Sequence, residues 1–145
     1  MKESAIREKI GVGWIRLKAI FEVAGFPAEH VETSINTVAD RIAKEKGIMI
    51  LEQAVHKPRK ISDQIYSSFI EMEFLAESLA QLVGMLYDYM PSSVEIIEPE
   101  DPISDDPQAV TMILNDLLAK LHNYNQLIHA LKAENTILNR KLQNK

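Results

Sequence analysis

The 145-residue sequence has no cysteine, one tryptophan, five glycines and only 6% aromatic residues. Without cysteine there can be no disulfides, thiolate metal sites, thiol catalysis or haem attachment, and a reducing interior is the expected compartment. Long apolar runs are also missing, since none approaches the ~18 residues that a membrane span requires. The first ten residues carry Lys2, Glu3, Arg7, Glu8 and Lys9, which is incompatible with the apolar stretch of a secretory signal. A soluble, cytoplasmic protein is therefore expected. With so few glycines, flexible catalytic loops are scarce. Gly11-Val12-Gly13 precedes a strand pattern and lacks the third glycine and following helix of a dinucleotide site. No serine or threonine lies in a nucleophile turn. The surplus of 21 acids over 16 bases, a net charge of −5, argues against whole-chain attraction to nucleic acid or anionic lipid.

What the chain does contain is organised. Residues 1–13 read as a short charged helix or arm that stops at the paired glycines. From Trp14, the residues Ile15, Leu17, Ala19, Phe21 and Val23 alternate with Arg16, Lys18 and Glu22, the period of a half-buried strand. Gly25-Phe26-Pro27 ends it and opens a helix. Val31, Ile35, Val38, Ala39 and Ile42 make one stripe of that helix, with Gly47 expected as its C-terminal cap. Residues 48–55 read as a second strand, with Met49, Leu51 and Val55 on one face and Glu52 and His56 on the other. His56 to Lys60 reads as a basic connection. A third strand at 66–75 alternates Ile70, Met72 and Phe74 with Glu71 and Glu73. A second helix over 77–89 presents Leu79, Leu82, Val83, Leu86 and Met90, and residues 93–98 offer Val94 and Ile96 as a short fourth strand.

The order strand, helix, strand, strand, helix, strand over residues 14–98 resembles the ferredoxin-like split βαβ arrangement. The resemblance implies an α+β domain with two helices on one face of a four-stranded antiparallel sheet. An all-helical bundle is the alternative. Residues 99–106 follow as an acidic, proline-rich linker, and Asp106-Pro107 is a helix-start signal.

The sharpest pattern lies in residues 107–145. Val110, Leu114, Leu117, Leu121, Tyr124, Ile128, Leu131, Asn135, Leu138 and Leu142 follow at alternating steps of four and three. Such a sustained seven-residue repeat signals a left-handed coiled coil. Leu114, Leu121, Ile128, Asn135 and Leu142 take position a, and Val110, Leu117, Tyr124, Leu131 and Leu138 take position d. A lone Asn at a, flanked by Leu at d, favours a two-stranded parallel pair. The segment from Leu131 to Leu142 resembles a leucine zipper of the basic-zipper class. The basic region that should precede it is replaced by Glu98, Glu100, Asp101, Asp105 and Asp106, so the resemblance implies pairing and not DNA binding. Ile113, Leu118 and Leu127 widen the proximal stripe, which leaves an antiparallel pair, a four-helix assembly or packing against the same chain as alternatives.

The candidate chemistry is sparse. His122 and His129 share position b but stand about 10 Å apart along the axis, too far for one zinc ion. Glu71 and Glu73 share a strand face, where Arg16 and Lys18 on a neighbouring strand would neutralise them. No catalytic, cofactor or metal site is expected. Lys57, Arg59 and Lys60 are the candidate phosphate contacts of an RNA-binding reading, which the outward row Ser67, Phe69, Glu71, Glu73 weakens by placing acids where bases would stack. A small-ligand sensor, resembling amino-acid-binding regulatory domains, would use the turn at Gly25-Phe26-Pro27. Trp14, Ile20, Phe69 and Ile97 form a candidate interaction surface on the open sheet face. The leading expectation is a non-enzymatic homodimeric adaptor or regulatory protein that binds a protein partner.

Overall fold

The alternation that begins at Ile15 is realised as one long strand, and the rest of the sheet is assembled on it. A computed structural model describes residues 1–145. The elements are α1 (Glu3–Gly11), β1 (Ile15–Gly25), α2 (Ala28–Ala43), β2 (Ile48–Val55), β3 (Arg59–Ser62), β4 (Ile65–Ala76), α3 (Leu79–Tyr89), β5 (Ser93–Glu98) and α4 (Pro107–Gln143). They divide into two compact units, Met1–Asp106 and Pro107–Lys145.

In the first unit, a mixed α+β structure, the sheet order is β2-β4-β1-β5, with β3 pairing along β4. All pairings are antiparallel. β1 and β4 are the central strands, in register from Ile15 opposite Ala76 to Gly25 opposite Tyr66. One face is apolar. Ile15, Leu17, Ala19 and Phe21 of β1 meet Ile70, Met72, Phe74 and Ala76 of β4, and Ile35, Ala39 and Ile42 of α2 with Leu82 and Met85 of α3 close the cluster. Both helices therefore lie on the same side. Each fully buried aliphatic or Phe side chain contributes about 1.5–3 kcal/mol by leaving water, which makes this layer the main source of stability.

Several elements depart from the sequence expectation. In β2 a register shift between Ile50 and Glu52 leaves Leu51 as an extra residue. Ile48 and Ile50 consequently turn to the helix side, while Met49 and Glu52 stand opposite Leu75 and Glu73 on the other side. The basic connection is partly a strand: β3 pairs Arg59 with Ser67 and Lys60 with Tyr66, so β2 and β3 together line one edge of β4. Lys44, not Gly47, caps α2, and Gly47 takes φ +78 in the turn before β2. Met90 is the left-handed cap of α3 and is exposed, whereas Met85 is buried. Val94 and Ile96, at 46% exposure each, lie on the helix side of the edge strand β5 and are only partly covered.

Residues 99–106 have no regular structure, but they are not slack. Ile103 packs against the core cluster, and Asp105 Oδ2 accepts the Ala80 N–H of α3 at 2.9 Å. Ser78 Oγ accepts the Gln81 N–H at 3.1 Å. Two of the orphan amides that open α3 are thus satisfied, one by its own N-cap and one from 25 residues away.

The second unit is the helix α4, 37 residues long. That is about 55 Å at 1.5 Å per residue. No residue along it is buried, and no helix of the chain is long and apolar enough to cross a membrane.

Candidate functional site

The sheet face opposite α2 and α3 carries the polar half of each strand. Its centre is a hollow of about 520 Å³ floored by Ile20 and Ala54 and rimmed by Lys18, Glu52, Glu71, Glu73 and Glu95. Register explains the convergence: Lys18 lies between Glu73 on β4 and Glu95 on β5, and Glu52 lies opposite Glu73 on β2. Glu71 stands opposite Ile20 and Ala54. Glu52 stands on the polar side of β2, as its alternation with Val55 implies, whereas nothing in the sequence places Glu95. The bulge at Leu51 changes the expected facing only for Ile48 to Ile50, and β5 is too short to show a period.

One end of this face is closed by an ion network. Arg16 Nε donates to Glu73 Oε1 at 2.9 Å, and its Nη1 donates to Glu3 Oε1 at 3.1 Å and Glu98 Oε2 at 3.2 Å. One guanidinium thereby ties α1, β1, β4 and β5 together, and α1 is drawn to the Arg16 end of the face. Burial opposes the Arg16 charge, but the hydrogen bonds it donates to Glu98 and Glu73 and the fields of Glu73 and Glu3 outweigh it, so its pKa is raised. The expected pairing of Arg16 and Lys18 with Glu71 and Glu73 takes a narrower form: both bases face Glu73, and Glu71 is left to His56, whose Nε2 lies 3.5 Å from Glu71 Oε2.

At the other end, the His56 ring stacks on Phe69, with centroids 4.0 Å apart and planes 16° from parallel. His56 is held there by its backbone. Its N–H donates to Phe69 O at 3.0 Å, and its carbonyl accepts the buried Ser68 hydroxyl. Arg59, opposite Ser67, is on this same face; Lys60, opposite Tyr66, is on the helix side; Lys57 is exposed in the segment before β3. The three bases named as phosphate contacts are therefore split between two faces. Phe26 is 61% exposed at the Gly25-Phe26-Pro27 turn.

The four apolar residues named for the open face do not form one patch. Ile20 and Phe69 are diagonal neighbours on β1 and β4. Trp14 precedes β1, with the Lys9 ammonium 4.2 Å from its ring centroid, and Ile97 is the extra residue where β5 shifts register at the Arg16 end. His122 lies beside Gln126 at 3.1 Å on α4, and nowhere do three metal-ligating side chains converge.

The seam of α4 is the other candidate. Leu114, Leu121, Ile128, Leu131, Leu138 and Leu142 are all exposed in the single chain. Tyr124 and Asn135 stand exposed in the same row, and Val110 and Leu117 are half-buried.

The chain belongs to the MJ0538 family, which it matches over residues 16–141. The match runs from the second residue of β1 almost to the end of α4, so the sheet unit and the long helix are both parts of the family's architecture. No curated protein and no solved structure matches the chain.

Proposed function

We propose that this protein is a non-enzymatic, cytoplasmic homo-oligomeric adaptor that pairs through α4 and offers its sheet unit to a protein partner. The observation that carries the reading is the heptad row from Val110 to Leu142, set on a helix with no buried residue. An apolar stripe of that length left in water is unfavourable, and pairing along it removes the cost. For the sheet unit, the order β2-β4-β1-β5 with α2 and α3 on one face supports the ferredoxin-like reading, with β3 as an addition along β4. The open face, with its rimmed hollow, is the surface offered.

Light scattering at micromolar concentration tests the proposal, with a dimer or larger species expected. Leu121→Glu with Ile128→Glu should give a monomer whose sheet unit keeps its thermal transition. A wild-type monomer would remove the proposal.

A second reading, RNA binding near residues 56–60, is favoured by the His56–Phe69 stack with Arg59 on the same face. Glu71 and Glu73 on that face oppose it by repelling phosphate, so it ranks second. It predicts salt-sensitive RNA retention that is lost when Lys57, Arg59 and Lys60 are neutralised. No retention at low salt would remove it.

A further inference from the structure

We infer that α4 pairs with α4 of a second copy in parallel and in register, with Asn135 against the partner's Asn135, so that the two Pro107 ends of α4 lie together. The inference rests on the oligomeric reading above and adds orientation, register and strand number to it.

Area permits a specific pair. Leu114, Leu121, Ile128, Leu131 and Leu138 are each about half exposed in one chain, and Leu142 is more exposed still. Covering them and their neighbours removes on the order of 700 Å² per copy, close to the ~800 Å² per partner of a standard specific interface.

Orientation is decided by the polar seam residue and the flanking positions. In a parallel pair the two Asn135 amides share one layer and can bond to each other. Flanking positions then place Ile113 beside the partner's Leu118, Lys120 beside its Asn125, Leu127 beside the stem of its Lys132, and Glu134 beside its Asn139, so no like charges meet. In the antiparallel register with greatest overlap, Lys120 faces the partner's Glu134, which is favourable. That register also sets Asn135 against the partner's Leu117 and leaves two amides without partners in an apolar layer. An unsatisfied buried amide outweighs an exposed ion pair several-fold, so the parallel pair wins. Sliding the antiparallel pair by one heptad brings Asn135 to the partner's Tyr124, but it sets Lys120 against Lys141. The lone Asn at position a also selects two strands over three.

Because the chain has no cysteine, single-cysteine variants report orientation without background. Leu114→Cys and Leu138→Cys are oxidised separately and as a mixture, after light scattering of the reduced proteins. The parallel pair predicts that each variant alone becomes a covalent dimer for more than half of the protein. If only the mixture cross-links, the coil is antiparallel and this inference fails while the oligomeric reading stands. If the reduced dimers cross-link in neither case, the register fails. A monomer in the reduced state overturns both.

Discussion

Arg16 and Glu73 are joined across the two central strands by a 2.9 Å bond from Nε to Oε1, with side-chain exposures of only 18% and 13%. Water screens this pair far less than the outer arms of the network, where Glu3 is 57% and Glu98 37% exposed. Arg16→Met should therefore destabilise the sheet unit by about 2–3 kcal/mol, most of it from leaving Glu73 part-buried without its partner. Arg16→Lys should recover less than half, because a single ammonium cannot reproduce the two separately directed nitrogens, Nε to Glu73 and Nη1 to Glu3 and Glu98. Chemical denaturation of both variants, with Glu73→Gln and Arg16→Met/Glu73→Gln completing a cycle, measures the coupling. A coupling near zero would show that the bond contributes nothing.

Asp105 acts on α3 from outside it. The first turn of α3 has no acidic residue of its own, so the Asp105 carboxylate supplies both the acceptor for Ala80 N–H and the negative charge that a helix N-terminus favours. Asp105→Ala should cost about 1 kcal/mol, within the usual range for losing a cap, and speed hydrogen exchange at Ala80 more than at Gln81, which Ser78 still caps. Asp105→Asn keeps an acceptor and should lose only about 0.5 kcal/mol. Equal exchange rates in all three proteins would show that Asp105 does not act as a cap.

These two residues also show where the sequence is readable. β1 and β4 are legible because Ile15 to Phe21 and Ile70 to Phe74 alternate without interruption between a packed side and a wet one. β2 is legible as a strand, and Glu52 and Val55 face as their alternation implies, but one extra residue at Leu51 puts Met49 on the side opposite to Val55. β3 is hidden inside a charge run: Arg59 to Ser62 are exposed on both sides, and only the free edge of β4 makes them a strand. The clasp of Asp105 on Ala80 follows no local rule, since it depends on where the chain returns 25 residues later. Within the hollow, Lys18, Glu52, Glu71 and Glu73 could be read from alternation, whereas Glu95 required the register.

Tyr89 connects stability to alkaline pH. Its hydroxyl donates to Glu45 Oε1, and burial together with that bond and the fields of Glu45 and Asp88 pushes its pKa up to about 12 from an ordinary 10.0. The folded state therefore favours the neutral phenol. Its contribution is fully present below pH 10, declines above it, and is lost as the pH passes through about 12. Tyr89→Phe should cost about 1 kcal/mol at neutral pH and flatten the loss of stability above pH 10. Denaturant titrations at pH 8 and pH 11 test the sign: the gap between wild type and variant should narrow at the higher pH, and a widening gap would contradict the assignment.

Asn135 is the one polar residue of the a and d row from Val110 to Leu142 apart from Tyr124, whose hydroxyl can reach water past its ring. At position a it trades stability for a defined strand number. Asn135→Val should therefore raise the midpoint of oligomer dissociation, by on the order of 1–2 kcal/mol per chain, while spreading the population from dimers into trimers. Sedimentation equilibrium across a concentration series measures both effects together. The sheet unit provides an internal reference, because its core lies wholly within Met1–Asp106 and its thermal transition should not move. If Asn135→Val weakened association instead, Asn135 would not lie in the seam and the heptad assignment would shift.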